Sequence, residues 1–103
     1  MRPDQRVEVD AEQLHEIRQI AREAVANAVR HGGATKITFS VDAEAKAIHL
    51  DIVDDGTARS TGGSAHPFHP RSIAERVAAL SGKLDARRGP MGTRLYITVP
   101  RIG

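Results

Sequence analysis

Glu23 and Asn27 stand four residues apart in the segment Ile20-Ala21-Arg22-Glu23-Ala24-Val25-Ala26-Asn27-Ala28-Val29-Arg30-His31-Gly32. On a helix this spacing stacks a carboxylate and an amide on one side, with Arg30 one turn further along. Alone, such a set reads as a solvated helix edge, where a Glu–Asn or Glu–Arg contact contributes only about 0.2–0.5 kcal/mol. Some two dozen residues later, Val53-Asp54-Asp55-Gly56 closes a strand-like run. Asp-Gly suits a tight turn. It also offers an ionised carboxylate that can accept a hydrogen bond from an exocyclic amine, beside a glycine that lets a backbone approach. Gly92-Thr93 is a weaker signal, equally a loop glycine and the threonine that starts a strand. The helix pair and the Asp-Asp-Gly turn together make nucleotide binding the leading reading.

The elements that must position these residues follow from periodicity. Arg6 to Asp10 alternates as a short strand, and Asp10 caps a long helix with Gln13 as its capping-box partner. Leu14, Ile17, Ala21, Ala24, Val25 and Ala28 form that helix's apolar stripe, and Gly32-Gly33 stops it. Thr35 to Val41, with Ile37, Phe39 and Val41 inward, and Ala47 to Val53, with Ile48, Leu50 and Ile52 inward, read as an antiparallel hairpin. From Thr57 to Pro70 the periodicity disappears. Ser72 and Glu75 form a second capping box ahead of a helix carrying Ile73, Val77 and Leu80 and ending at Gly82. Lys83 to Arg88 and Thr93 to Val99 are strands joined by Gly89-Pro90-Met91-Gly92. The order β-α-β-β-loop-α-β-β predicts an α+β two-layer sandwich, its sheet mixed but mostly antiparallel, with both helices on one face.

Composition sets the frame. A chain of 103 residues makes one domain, burying roughly two-thirds of its unfolded surface. With 3% aromatics the core is built from Val, Ile, Leu and Ala. There is no cysteine, which excludes disulfides, thiolate metal sites and cysteine nucleophiles. No apolar run approaches the ~20 residues of a membrane span and no signal-peptide pattern opens the chain, so a soluble, cytoplasmic domain is expected. From Arg71 onward seven basic residues face two acidic ones. With few aromatics for stacking and no base-reading motif, this is read as a solvated basic face and no nucleic-acid partner is expected. His66 and His69 have no third ligand candidate nearby for Zn²⁺, and Pro67 and Pro70 oppose a helix across the pair. They read as loop or lid histidines.

Order and spacing of all three motifs together are more specific than any one. The chain resembles the ATP-binding catalytic domain of a sensor histidine kinase, in the GHKL superfamily shared with gyrase and heat-shock chaperones. The flavour is nitrate-sensor/DesK-like, carried by Arg22-Glu23-Ala24-Val25-Ala26-Asn27-Ala28-Val29-Arg30-His31. The resemblance runs from about Val7 to Pro100 and takes in Glu75-Arg76-Val77-Ala78-Ala79-Leu80-Ser81-Gly82 and Gly92-Thr93-Arg94-Leu95-Tyr96-Ile97-Thr98-Val99-Pro100.

The resemblance implies a Bergerat-type ATP-binding fold over residues 1–103, with a flexible lid at about 57–70, binding ATP or ADP and Mg²⁺. By its pattern Asn27 holds Mg²⁺, which bridges the ATP phosphates, and Glu23 orients or deprotonates the attacking imidazole. Arg30 and His31 occupy positions that face phosphate. Asp54 matches the aspartate that binds the adenine amino group, Gly56 the first glycine beside it, and Thr93, after Gly92, the threonine that supports adenine. Two departures stand out. Ala58 replaces a second glycine, and the glycine-rich stretch that wraps the triphosphate is replaced by His66-Pro67-Phe68-His69-Pro70-Arg71-Ser72. Pro67 and Pro70 have no N–H to offer a phosphate.

His15-Glu16 resembles the histidine-acid pair of a phosphoacceptor helix, but shares its helix with Glu23 and Asn27 and reads as an ordinary histidine. The phosphoacceptor and dimerisation domain is therefore expected elsewhere in a homodimeric parent kinase, with a response regulator further downstream. The isolated domain is expected to be monomeric. Two alternatives stand beside a histidine kinase module: a degenerate GHKL domain with a regulatory role, and a serine kinase of the anti-sigma-factor type.

Overall fold

The computed structural model describes residues 9–56, 66–67 and 70–101. Its elements are α1 (Ala11–Gly32), β1 (Ile37–Ala43), β2 (Ala47–Asp54), β3 (His66–Pro67), α2 (Arg71–Ala79), β4 (Lys83–Gly89) and β5 (Gly92–Pro100). The sheet runs β1-β2-β5-β4-β3, and every pairing among the described residues is antiparallel. Ile48, Leu50 and Ile52 of β2 pair with Val99, Ile97 and Leu95 of β5. With Ala86 of β4, these side chains meet Ile20 and Ala24 of α1 and Ile73 and Val77 of α2 in one core. Both helices therefore cover the same sheet face, and the α+β two-layer sandwich expected from element order is the fold observed. Each fully buried isoleucine contributes roughly 1.5–3 kcal/mol.

Helix α1 begins and ends where its sequence signals lie. The Asp10 carboxylate accepts the Gln13 N–H at 3.1 Å, and Gly33 closes the helix in the left-handed conformation at φ 63°. The Gln13 side chain does something else. It is 1% exposed and donates through Nε2 to the Pro100 carbonyl at 2.6 Å, fastening the first turn of α1 to the end of β5. The apolar stripe is also rotated from the expected one. Ile20, Ala24 and Ala28 are buried, whereas Leu14 and Val25 are exposed.

Strand β1 departs from its alternation in a similar way. Phe39 and Val41 pair with Ile52 and Leu50 and so share the helix-facing side, yet they are 42% and 62% exposed. β1 is the last strand on its side of the sheet, and the helices pack over β2 and β4. Period two identifies a face; it does not say that anything covers it.

At the other edge, His66–Pro67 pairs with Arg88 and Arg87, a strand that no periodicity announced. Helix α2 starts at Arg71 after Pro70, with no side-chain cap, so the expected Ser72–Glu75 capping box does not form. Ser72 is already inside the helix, and Glu75 pairs with Arg71 at 3.3 Å. Val9 and Asp10 are not in a strand, and the rest of the expected first strand, like most of the expected lid, lies outside the described residues.

Candidate functional site

Asp55 ties the end of β2 to the chain leaving α1. Its Oδ1 accepts the backbone N–H groups of Thr35 (2.8 Å) and Lys36 (3.0 Å), and its Oδ2 accepts the Thr35 hydroxyl at 2.8 Å. The Lys36 N–H, then the Thr35 hydroxyl and N–H, hold this carboxyl below the usual carboxylate range by favouring its charged form. The chain just beyond α1, whose last turn carries the exposed Arg30, is thereby tied to the Asp-Asp-Gly turn.

Asp54 is half-buried, and its Oδ1 accepts the Gly56 N–H at 2.8 Å. This local bond sets the carboxylate's direction and leaves Oδ2 with no partner among the described residues. Sheet register places Asp54 opposite Thr93, and Thr93 opposite Arg88. Residues paired across antiparallel strands share a face, so the three form one transverse row on the side that carries the helices. Gly92, at φ 132°, precedes Thr93. A Cβ there would overlap the Asp54 carbonyl oxygen and lie 2.9 Å from its carbon. Only glycine allows β5 to start this close to the end of β2.

One cavity lies beside these residues. A cavity of about 350 Å³ borders Asp54 and Thr93. Its walls include Val53, Arg87 and Arg94, which alternate with the core positions, so it opens on the face turned away from the helices. On the helix side Asn27 is half-buried and its amide pairs with no other described residue. Among the described residues no group of three His, Cys, Asp or Glu side chains is arranged to hold a metal by itself.

The histidine kinase-like ATPase domain family matches residues 4–98. This chain belongs to that family. A curated relative, the signal transduction histidine-protein kinase/phosphatase UhpB of Salmonella typhimurium strain LT2, is 29% identical over 83 residues, covering 81% of this chain and 16% of the relative. The chain thus spans about a sixth of that relative's length. The crystal structure of the ATP binding domain of PrrB from Mycobacterium tuberculosis superposes with a TM-score of 0.63 at 23% identity, covering 86% of this chain and 69% of that one. That likeness carries the fold. Among the described residues no helix is long and apolar enough to cross a membrane.

In this histidine kinase-like ATPase domain, Glu23 is not the solvated helix residue that its position off the apolar stripe suggested. Its Oε1 accepts the Ser72 hydroxyl at 2.9 Å and Arg76 Nε at 3.1 Å, both from α2. Arg76 also reaches Glu16 Oε1 at 3.3 Å. Sequence reasoning missed these partners because contacts between separate helices have no fixed spacing. Asp55 was visible only as half of a turn. Its clamp had one legible trace, the threonine two residues after the Gly32-Gly33 stop, since the Lys36 contact is made by backbone alone.

Proposed function

We propose that this domain is the ATP-binding module of a sensor histidine kinase, passing the γ-phosphoryl of Mg·ATP to a histidine on a separate domain of the parent protein. The observation that carries the reading is the Asp54–Thr93 row. A half-buried carboxylate, oriented by the Gly56 N–H and with its second oxygen unpaired among the described residues, sits at the end of a strand tied to the chain leaving the helix that bears Glu23 and Asn27. That oxygen suits the exocyclic amine of adenine, with Thr93 alongside and Gly92 permitting the approach.

Asn27 fits Mg²⁺. Its amide oxygen is uncommitted among described residues, and no ready-made acidic cage competes with it there. Mg²⁺ binds through few protein oxygens and takes its remaining ligands from phosphates and water. An ion held there by Asn27 would supply charge neutralisation to the transferring phosphoryl group. Arg30 and His31 face the phosphates in this reading. Phosphoryl transfer forms a bond from an imidazole nitrogen to Pγ and breaks the bond from Pγ to the bridging oxygen, whose electron pair leaves with ADP. Glu23 accepts the proton from the opposite imidazole nitrogen.

Calorimetric titration of the chain with Mg·ATP and ADP tests the binding half. Micromolar affinity, lost in Asp54→Ala, is the expected result. Incubation with labelled ATP and an isolated histidine phosphoacceptor domain tests transfer, with label on histidine expected. A second reading, a degenerate domain with a regulatory role, is favoured by Pro67 and Pro70 in place of phosphate-binding glycines. Absence of binding by either nucleotide would favour it.

A further inference from the structure

Both helices pack on one face of the sheet, and the other face is bare among the described residues. The cavity of about 350 Å³ at the β4–β5 hairpin opens there. Val53, Pro90 and Met91 give it apolar walls, with Val53 40% and Met91 87% exposed. Its two cations are Arg87 and Arg94. They stand directly opposite one another on β4 and β5, a placement in which like charges repel and weaken a sheet.

The next row along this face carries Asp51 and Asp85, which flank Tyr96 from the two neighbouring strands. Asp51 holds Arg94 in a two-bond fork, Nε and Nη2 lying 2.9 and 2.8 Å from its two oxygens. Asp85 lies 3.4 Å from Arg87 Nε. Each guanidinium is thus steadied from the row farther from the hairpin. Arg94 Nη1 and both terminal nitrogens of Arg87 keep their hydrogens free of any partner among the described residues.

On an open surface such donors ordinarily go to water. Hydration does not explain why two cations are set face to face beside an apolar hollow. A carboxylate between them would relieve the repulsion, and its two oxygens suit planar guanidinium donors already held in place. The charge balance also limits the anion. Two arginines and two aspartates sum to zero, so a dianion would meet Asp51 and Asp85 while a monoanion is tolerated better. The volume is at the low end of the ~300–1,000 Å³ usual for small-molecule sites, so the occupant is small.

We propose that this cavity binds a small monocarboxylate with an apolar body, its carboxylate on Arg87 and Arg94 and its body against Val53, Pro90 and Met91. The site is separate from the adenine-side row, because Thr93 and Arg94 are adjacent on β5 and point to opposite faces. It does not depend on the nucleotide reading.

Octanoate and its neutral counterpart octanamide are the probes, titrated into the full chain and followed by amide chemical shifts. Octanoate should bind with a Kd below about 1 mM, at least about tenfold tighter than octanamide, with shifts centred on Val53, Gly89 and Gly92. Arg87→Gln should weaken octanoate at least about fivefold and leave octanamide within about twofold, since only the charged contact is lost. Met91→Ser should weaken both probes by a similar factor, about threefold, through lost apolar contact. Met91 is exposed at the hairpin tip, so this variant keeps the proposal testable if Arg87→Gln does not fold.

Octanamide binding as tightly as octanoate, absence of saturable shifts with octanoate, or unchanged binding in both variants overturns the proposal. Saturating Mg·ATP should leave octanoate affinity within about twofold. Displacement by Mg·ATP would assign the cavity to the nucleotide cleft and overturn a separate site. An acetylated, amidated Leu-Glu dipeptide binding more tightly than octanoate also overturns it, by giving the cavity to side chains of a partner protein. If the chain binds no nucleotide, every arm except the Mg·ATP competition decides the proposal unchanged.

Discussion

Gly92 and Asp54 meet backbone to backbone where β5 begins and β2 ends, so close that a single added methyl would overlap the Asp54 carbonyl oxygen. The contact sets Thr93 opposite Asp54 and couples these two residues, proposed to meet adenine, to the geometry of the β4–β5 hairpin. Gly92→Ala must either push the strands apart or leave its φ of 132°, a region alanine avoids. We expect a loss of about 2 kcal/mol or more in urea denaturation. Mg·ATP affinity should fall at least about tenfold, through displacement of Asp54. Wild-type stability in this variant would show that the hairpin relaxes around the methyl.

Asp55 gives the fold a defined acid sensitivity. Its folded carboxyl sits below its ordinary value because it accepts two backbone N–H groups and a hydroxyl. The folded state therefore binds that proton less readily than the unfolded chain. The stabilisation is complete above the unfolded value of about 3.9 and is lost as pH falls through the lower folded one. Asp55→Ala should melt at a lower temperature than wild type at neutral pH, and the difference should shrink as the pH falls below about 4. Melting curves followed by circular dichroism across that window check this. A gap that stays constant with pH counts against the clamp.

Ser81, just past the Leu80 cap of α2, has φ 58° and is the one non-glycine residue with positive φ among those described. The left-handed conformation costs about 1–2 kcal/mol with a Cβ present, and glycine's extra unfolded-state freedom offsets about 0.5–1 kcal/mol of that. Ser81→Gly should therefore stabilise the domain by about 0.5–1 kcal/mol, read as a higher urea midpoint at unchanged slope.

Gln13 is a buried amide whose Nε2 satisfies the Pro100 carbonyl. Gln13→Ala leaves that carbonyl unpaired and opens space under α1, for an expected loss of about 1–3 kcal/mol. The Pro100 end of β5 should loosen first, seen as faster amide exchange in its last residues.

Asn27→Ala should weaken nucleotide binding more in the presence of Mg²⁺ than in its absence, since the proposed role is to the ion. Titrations with and without the metal decide the point. Equal losses in both would remove Asn27 from the metal.

What the chain's order alone determined is considerable. Asp10 and Gly33 bound α1 because capping and left-handed turns are local chemistry, satisfied by residues within a few positions. The β1–β2 and β4–β5 hairpins follow from alternation and short polar or glycine-rich connections. Resemblance of the Arg22–His31, Glu75–Gly82 and Gly92–Pro100 segments to sensor kinase ATP-binding domains pointed to the histidine kinase-like ATPase family, whose model matches residues 4–98. Only the tertiary structure decided which way α1 turns its apolar side, burying Ile20 and exposing Leu14 and Val25. A helix with apolar residues over a wide arc contains no rule for choosing its centre. Likewise Phe39 and Val41 carry an inward pattern at an edge no helix covers, and Ser72 left its expected cap for Glu23 on another helix. Packing across distant segments settles these choices, because the free energy of covering a surface or satisfying a carboxylate depends on what arrives from elsewhere in the fold.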